Sequence, residues 1–525
     1  MLRASYTPTL SDQDRVIFET LVPPDHYLRQ VNAVVDFERY RATMAACYHA
    51  TAGRPADDPV VLLKVGFLQT HYNLSDREVL AQAQVNVALR YFLNLALTDS
   101  LPHPSLLTVF RARLGASLYQ QIFDGVVAQA REAGLVKDRV RLKDATHVIA
   151  NIAIPSTILL VAQTRQRLLD AAVPFAAEQV AAEQAHALAI RAATVDLTDA
   201  ERLLQRVTHL RQIVSWADQV AADLGPLPHD APPARRAFAA ALVLAHRILA
   251  DRHDPDGGDH VVSVQDPDAR RGKHGAYFTG YLLDVAMDAD SQIITTLDVL
   301  PANGDEAADA TTLITHEETV HGNDVQTLSI DKAGFRGDLL REWQDPEGLA
   351  LDVVVPPTTV EPTPYFMAAD FQHDADRGTV TCPGAVTTAR RTRNRVDTGW
   401  KYVFPRAQCA TCALQQRCLE RLPHATGRMV VINDYAVEYA AARQKAETPA
   451  YREVRRAHPA IERKLAEIVR RHDGRWARYR GRARSRIQYL YLLTGLVGNV
   501  KRMVRLVLRP PRPQGECAMV YPVAA

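Results

Sequence analysis

The sequence predicts a mixed α/β fold with large helical additions, and three observations support this class. Apolar residues recur at three- and four-residue spacing through much of residues 1–135, which is typical of packed helices. The spacing changes to two at 138–150, and strand-like runs return over 260–335. Residues 158–250 are rich in Ala, Leu and Gln, with long stretches free of Gly and Pro, so two or three long helices are expected there. A chain of 525 residues has room for three or four domains.

Composition excludes several classes of protein. Hydrophobic residues make up 47% and charged residues 23%, as in ordinary globular proteins. No apolar run approaches the 18 or so residues that a membrane helix needs, so no membrane association is expected. The opening residues lack the apolar core of a signal peptide, and six Cys in 525 residues cannot form a disulfide scaffold. A cytoplasmic location is therefore expected.

The N-terminal helices carry recognisable start and stop signals. Ser75 is followed three residues later by Glu78, which is a capping box that begins a helix. The run SLLTVFRARLG then predicts a short helix that ends at Gly115 and exposes Arg111 and Arg113. Two helices with a short break between them are compatible with a helix-turn-helix DNA reader and equally with plain helical packing.

The strand patterns predict a sheet interrupted by insertions. Val140, Leu142 and Asp144 share one face of the first predicted strand. Further strands are predicted in HVVSV, AYFTGYLLDVAMD, QIITTLDVLPAN and, after a helix, VQTLSIDKAGF. Residues 350–430 are rich in Pro, Thr and Cys with little periodicity, which predicts an irregular insertion. The predicted segments are a helical, DNA-binding domain (1–135), the first strand of the core (136–157), a helical insertion (158–255), the continuing core (256–349), the cysteine-bearing insertion (350–430), a basic helical part of the core (431–512) and a tail (513–525).

The positive charge is concentrated near the C-terminus. The whole chain has a net charge of +2, but residues 451–512 hold eighteen Lys and Arg against four acidic residues, a local charge of +14. Such a segment favours a polyanionic partner, and arginine pairs well with phosphate. Trp476, Tyr479, Tyr489 and Tyr491 are interleaved with these charges, as on nucleic-acid surfaces. The alternative is a solvated helical face whose aromatic residues belong to a core.

Three acidic residues are candidate ligands for a pair of metal ions. Asp144 lies on the first strand, Asp331 ends a later strand, and Glu462 lies in the basic helix beside its apolar face. In-line cleavage of a phosphodiester needs charge neutralisation at both the entering and the leaving oxygen, which two Mg²⁺ ions held by carboxylates provide. Each residue alone could equally cap a turn or a helix.

The ordered set of motifs resembles the DDE transposases of bacterial insertion sequences. These motifs are KDATHVIAN, GYLLDVAMD, IITTLDVLPANGDEA, SIDKAGF and IERKLAEIVRRHDGRWARYRGRARSRIQYLYLLTGLVGNVKRM, and the likeness extends from about residue 58 to about residue 507. The resemblance implies a ribonuclease H-like catalytic core that cuts transposon-end DNA and joins its 3′ hydroxyl to target DNA with Mg²⁺ or Mn²⁺. Asp144, Asp331 and Glu462 fall in its three acidic motifs. Gly334, which precedes Phe335, is a small departure from the second motif.

The resemblance also suggests which residues surround the helical acid and which partners to expect. Tyr451, Arg455 or Arg456, and Arg470 are candidates for the family's tyrosine and basic positions, and Asn499 and Arg502 match its closing helix. Breaking and joining two ends implies at least a homodimer on double-stranded DNA, in a nucleoid-associated bacterial protein. Two alternatives remain: a transposase-derived DNA-binding protein without catalysis, and a nuclease that cuts without joining. The expected DNA contacts are Arg455, Arg456, Arg463, Lys464, Arg470, Arg471, Arg475, Arg478, Arg480, Lys501 and Arg502.

Four cysteines in the predicted insertion form a possible zinc site. Cys409, Cys412 and Cys418 follow one another closely, and Cys382 lies upstream in a TCPG turn. Four thiolates can complete a tetrahedral structural Zn²⁺ site, which stabilises a segment with few apolar residues. The alternative is four reduced thiols without a metal.

Overall fold

The computed structural model describes residue 2 and residues 10–49, 52–254, 257–359, 363–394, 398–419, 427–477 and 484–508. Among the predicted features, Arg478, Tyr479, Arg480 and the tail 513–525 lie outside the described residues.

The N-terminal region is helical, as the sequence predicted. Ser75 and Glu78 form the predicted capping box, in which each side chain bonds the other's backbone N–H. Gly115 does not end its helix: it adopts a left-handed φ of 61° and kinks a helix that continues to Glu132. The helices are α1 (Asp12–Leu21), α2 (Tyr27–Val34), α3 (Arg41–Ala45), α4 (Pro59–Tyr72), α5 (Asp76–Val85), α6 (Val87–Leu93) and α7 (Pro104–Glu132).

The predicted exposure of Arg111 is wrong. Its side chain is buried, and its guanidinium donates to both carboxylate oxygens of Asp76, at 2.5 and 3.0 Å, so it ties α7 to α5. Arg113 is exposed and stacks over the ring of Tyr48 at 4.4 Å. Arg111 is thereby committed to helix packing and is not presented to a ligand.

A six-stranded mixed sheet forms the centre of the molecule. Strand β3 lies between β4 and β1 and is antiparallel to both, while β5 and β6 continue the sheet parallel to β1, and β2 also pairs with β3. Helices α12 (Glu306–His316) and α13 (Gly337–Trp343) make the crossovers that parallel strands require. The strands are β1 (Val140–Ile149), β2 (Arg270–His274), β3 (Ala276–Asp288), β4 (Ile294–Pro301), β5 (Thr327–Ser329) and β6 (Asp352–Val354).

One predicted strand is absent. HVVSV at 260–264 has no strand structure, because Val261 and Val264 pack into the core of the helical insertion instead. That insertion lies between β1 and β2 and has its own hydrophobic core. It contains four helices where two or three were predicted: α8 (Thr157–Ala172), α9 (Ala177–Ala193), α10 (Asp199–Asp223) and α11 (Pro233–His253).

The segment 350–430 is more regular than the sequence predicted. It begins with β6, which belongs to the central sheet, and it continues into two small antiparallel sheets of three strands each. Strands of two to five residues are too short to show a periodicity, and a small core around Phe371, Tyr402 and Phe404 stabilises them. The elements are β7 (Gln372–Asp374), β8 (Thr379–Thr381), β9 (Thr387–Thr388), β10 (Arg391–Asn394), β11 (Gly399–Val403), α14 (Arg406–Ala410), α15 (Gln415–Cys418) and β12 (Met429–Asn433).

The C-terminal helices close the main core over the sheet. They are α16 (Ala436–Ala446), α17 (Pro449–Ala457), α18 (Pro459–Arg471) and α19 (Arg484–Leu508). Helix α19 packs against α7 and β4, and its Asn499 bonds both the backbone N–H and the C=O of Ile294, at 2.8 and 2.7 Å. Tyr489 and Tyr491 are buried in this core, whereas Trp476 is half exposed. Within the described part of the chain, no helix has the length and apolar character needed to cross a membrane.

Candidate active site

Strands β1 and β5 place Asp144 and Asp331 beside each other. The parallel register pairs Leu142 with Ser329. Asp144 and Asp331 each lie two residues beyond that pair, on neighbouring segments of the chain. Neighbouring strands are about 4.8 Å apart, which brings the two side chains to the same edge of the sheet. The structure therefore brings together two of the three predicted acids.

Asp331 also shapes its own loop. Its carboxylate accepts the backbone N–H of Ala333 at 3.0 Å and begins a 3₁₀ turn over Lys332–Gly334. Gly334 is buried, and a Cβ there would lie 2.6 Å from a side-chain carbon of Ile330. The glycine that departs from the resembled motif is thus explained by close packing behind the turn.

Helix α18 brings the third acid to this edge. Ile461 is fully buried and α18 packs against β1, while His458 at its start bonds the hydroxyl of Ser329 at 3.0 Å. Glu462 is exposed and forms no hydrogen bond or ion pair with other described residues. An unpaired carboxylate at the start of a helix near the end of β5 is available to a ligand.

Arg455 lies within electrostatic range of the three acids. From α17 its guanidinium donates to the carbonyl of Ile330 at 3.0 Å, one residue before Asp331. Burial lowers the pKa of Arg455, and the nearby negative charges of Glu462, Asp331 and Asp144 act in the opposite direction. One guanidinium therefore interacts electrostatically with all three predicted acids. Arg456, the alternative at this position in the sequence, is exposed and has no such role among the described contacts.

The surroundings of Asp144 disfavour the ionised form of its carboxyl group. Burial raises its pKa to about 7, and the charges of Asp331 and Glu306 add to the shift, while Lys143 and the N–H of Ala145 oppose it. Crowded carboxylates with a raised pKa are typical of sites where a cation compensates the repulsion. Carboxylate oxygens on an accessible edge are also the donors that Mg²⁺ prefers, so these residues fit such an ion.

The sequence interpretation missed a buried ion pair behind Asp144. Lys143, the preceding residue on β1, lies fully buried with its ammonium 2.9 Å from Asp284 of β3 and bonded to the carbonyl of Glu306. Burial raises the pKa of Asp284 well above its usual range. The signal was present in the LLDVAMD motif, where Asp284 interrupts an apolar run, and in KDAT, where Lys143 precedes the candidate acid.

The predicted DNA contacts fall into two groups. Lys464 is buried and lies 3.5 Å from Glu467, and Arg475 donates to the carbonyl of His147 at 2.8 Å. Lys501 and Arg502 are partly buried and bond neighbouring groups of the protein. The exposed members, with side chains available to a partner, are Arg456, Arg463, Arg470 and Arg471.

The four cysteines line one pocket between the two small sheets. Cys382, Cys409, Cys412 and Cys418 are free thiols and share the pocket with apolar side chains. The sulfurs of Cys409 and Cys412 each accept a backbone N–H at 3.4 Å, an arrangement that suits a thiolate. Among the described residues, the sets of three ligand atoms lying within 4.8 Å of one another are two clusters of histidine and carboxylate, not these sulfurs. A metal would therefore have to draw the thiols closer together.

Comparison with known families finds two matches. One family model, described as Transposase domain (DUF772), matches residues 16–113, and a second, Transposase DDE domain, matches residues 381–504. The N-terminal helices and the part of the chain that contains Arg455 and Glu462 are thus both similar to transposase domains. The two matches cover separate parts of the chain and indicate a DDE-type transposase family. No curated protein and no solved structure matches it.

Proposed function

We propose that this protein is a transposase that cuts transposon-end DNA and joins the freed 3′ hydroxyl to target DNA, with Asp144, Asp331 and Glu462 as the catalytic acids. The observation that supports this most strongly is the parallel register of β1 with β5, which sets Asp144 and Asp331 on adjacent strands, together with the packing of α18 against β1. The central sheet supports a ribonuclease H-like core, since three antiparallel strands are followed by two that run parallel to the first.

The acids provide the donors for a pair of Mg²⁺ or Mn²⁺ ions. Asp144 and Asp331 would hold the ions from adjacent strands, and Glu462 would complete the coordination from α18. When bound, such ions stabilise charge on the attacking and leaving oxygens of the phosphodiester. Arg455 is fixed to the carbonyl of Ile330 and can pair with a phosphate that enters beside the acids.

DNA would lie across the basic helices. The exposed Arg456, Arg463, Arg470 and Arg471 flank the acids along α17 and α18 and would contact phosphates without reading sequence. The other predicted DNA contacts remain part of this proposal. Those whose side chains already bond groups of the protein would mainly hold the helices in position. We expect a homodimer on two transposon ends, in the cytoplasm and on the nucleoid.

The cysteine pocket is proposed to hold a structural Zn²⁺ ion. Thiolates at Cys382, Cys409, Cys412 and Cys418 form a Cys₄ donor set, and the surrounding strands are too short to be stable alone. This site would stabilise the two small sheets and take no part in the reaction.

The test is cleavage of a supercoiled plasmid that carries the flanking inverted repeats, with Mg²⁺ or Mn²⁺. Glu462→Gln should lose cleavage but keep salt-sensitive DNA binding. Glu453→Gln, on the exposed surface of the neighbouring α17, should keep both and is the matched control. Equal cleavage by wild type and Glu462→Gln would contradict the proposed third acid. Joined products in a strand-transfer assay support transposition, whereas cut ends alone favour a nuclease, and binding without cutting favours the non-catalytic alternative.

A further inference from the structure

A second polar cluster lies between the N-terminal helices and the sheet. Asp124 of α7 meets His316, the last residue of α12, and His321. The ring nitrogens Nε2 of the two histidines lie 3.1 and 3.5 Å from one carboxylate oxygen of Asp124. All three ligand atoms are within 4.8 Å of one another.

A π-helix places the two histidines on the same side of the chain. Residues Glu317–His321 continue α12 with the wider i→i+5 bonding, and Gly322 ends the turn with a left-handed φ of 62° and donates to the carbonyl of Glu317. Five residues make about one turn of such a helix, so His316 and His321 stack one above the other. Their rings contact edge to face with centroids 5.7 Å apart. π-helical turns are rare and occur frequently at functional sites.

The buried nitrogen of His321 is the second observation that points to a ligand at this cluster. Only 2% of the His321 side chain is exposed, and Nε2 has no hydrogen-bond partner among the described residues, since its approach to Asp124 lacks hydrogen-bond geometry. A buried polar atom without a partner costs roughly 1–3 kcal/mol. A metal ion on Nε2 would remove that cost.

The distances suit a tetrahedral ion. Zinc bonds of about 2.0–2.1 Å to imidazole nitrogen and carboxylate oxygen separate neighbouring ligand atoms by about 3.3 Å, close to the 3.1 and 3.5 Å observed. Gln120 donates to the same Asp124 oxygen at 2.9 Å and holds the carboxylate in place. Glu317, buried beside His316, adds negative charge that is balanced by its ion pair with Arg141 at 2.6 Å.

We propose that Asp124, His316 and His321 bind a divalent transition-metal ion, of which Zn²⁺ fits best, with water in the fourth position. The ion would fasten α7 to the crossover that leads directly into β5 and Asp331. It would thereby couple the position of the N-terminal helices to one catalytic acid without entering the reaction.

A comparable cluster elsewhere serves as the control. Glu183, His186 and His209 also lie within 4.8 Å of one another in the helical insertion. The His186 side chain is 52% exposed, however, and Arg165 lies 3.4 Å from Nδ1 of His209, so a cation is disfavoured there. His186→Gln should therefore leave metal binding unchanged.

The experiment measures bound zinc and metal-dependent stability of the full-length protein. After Zn²⁺ loading and dialysis, Asp124→Asn and His321→Gln should each hold one equivalent less than wild type, while His186→Gln holds the same amount. Chelator should lower the melting temperature of Asp124→Asn and His321→Gln less than that of wild type and His186→Gln, because only the latter two lose this ion. Using two variants, one of which preserves the shape of the carboxylate, separates loss of metal from loss of folding. Equal zinc content in wild type, Asp124→Asn and His321→Gln would overturn the proposal, as would loss of the equivalent in His186→Gln.

Discussion

Asp144→Asn is expected to abolish cleavage and, at pH 8 without divalent metal, to make the folded protein more stable. Burial and the neighbouring acids raise the pKa of Asp144 to about 7, against an ordinary value of 3.8. Each pKa unit corresponds to about 1.4 kcal/mol, so the ionised carboxylate costs the folded state at most about 4 kcal/mol. Asparagine removes the charge at nearly constant volume.

The sign of the pH dependence follows from the raised pKa. In the wild type, the stability associated with Asp144 is fully present below pH 3.8 and is lost as the pH rises through about 7. The advantage of Asp144→Asn should therefore rise from about 1.6 kcal/mol at pH 5 to about 4 kcal/mol at pH 8. Saturating Mg²⁺ should reduce it, because only the wild type gains stability from binding the ion at this residue.

Urea denaturation at pH 5 and pH 8, with EDTA or with Mg²⁺, measures this effect. Asp196→Asn, an exposed residue of the helical insertion, is the matched control and should change neither midpoint. If Asp144→Asn is no more stable than wild type at pH 8 in EDTA, then Asp144 is not a strained carboxylate and the reasoning about the metal site fails.

Three further predictions test the surroundings of the acids and the main core. Arg455→Ala should lower the single-turnover cleavage rate by roughly a hundredfold, the scale of a lost transition-state contact, whereas the exposed Arg456→Ala should change it less than threefold. Asn499→Leu should destabilise the protein by about 2–4 kcal/mol in urea, because the buried N–H and C=O of Ile294 lose their partner. His458, whose pKa burial lowers to about 4, favours the neutral form in the folded state, so stability present above pH 6.5 is lost as the pH falls toward 4. In urea denaturation between these pH values, the free energy of unfolding of the wild type should fall by up to about 3 kcal/mol, whereas that of His458→Gln should lack this fall. The same pH dependence in both proteins would contradict the prediction.

Elements with a regular spacing of apolar residues could be predicted from the sequence. The alternation around Asp144 gave β1, and the helical spacing of residues 1–135 gave the N-terminal helices, because both patterns reflect one buried face. HVVSV was misassigned because Val261 and Val264 are apolar for a different reason, namely packing against helices. Very short strands, as in residues 350–430, carry too few residues to show a pattern.

The residues of the candidate site could be chosen from the sequence, but their positions relative to one another could not. Asp144, Asp331 and Glu462 could be chosen from ordered motifs, but their proximity depends on the register of β1 with β5 and on the docking of α18. Such contacts join residues more than 100 positions apart, and periodicity does not report them. The choice of Arg455 over Arg456 also needed the orientation of α17, and Arg111 was judged exposed because its partner Asp76 lies 35 residues away.

Iron-directed cleavage of the polypeptide tests directly whether the three carboxylates share one metal site. Fe²⁺ takes the place of Mg²⁺ in carboxylate sites, and with peroxide it cuts the chain beside its ligands. We predict three cuts, near Asp144, Asp331 and Glu462, all suppressed by excess Mg²⁺ and weakened together by Asp331→Asn. Cuts at one or two of these positions, or cuts that Mg²⁺ does not suppress, would show that the three carboxylates do not share a metal site.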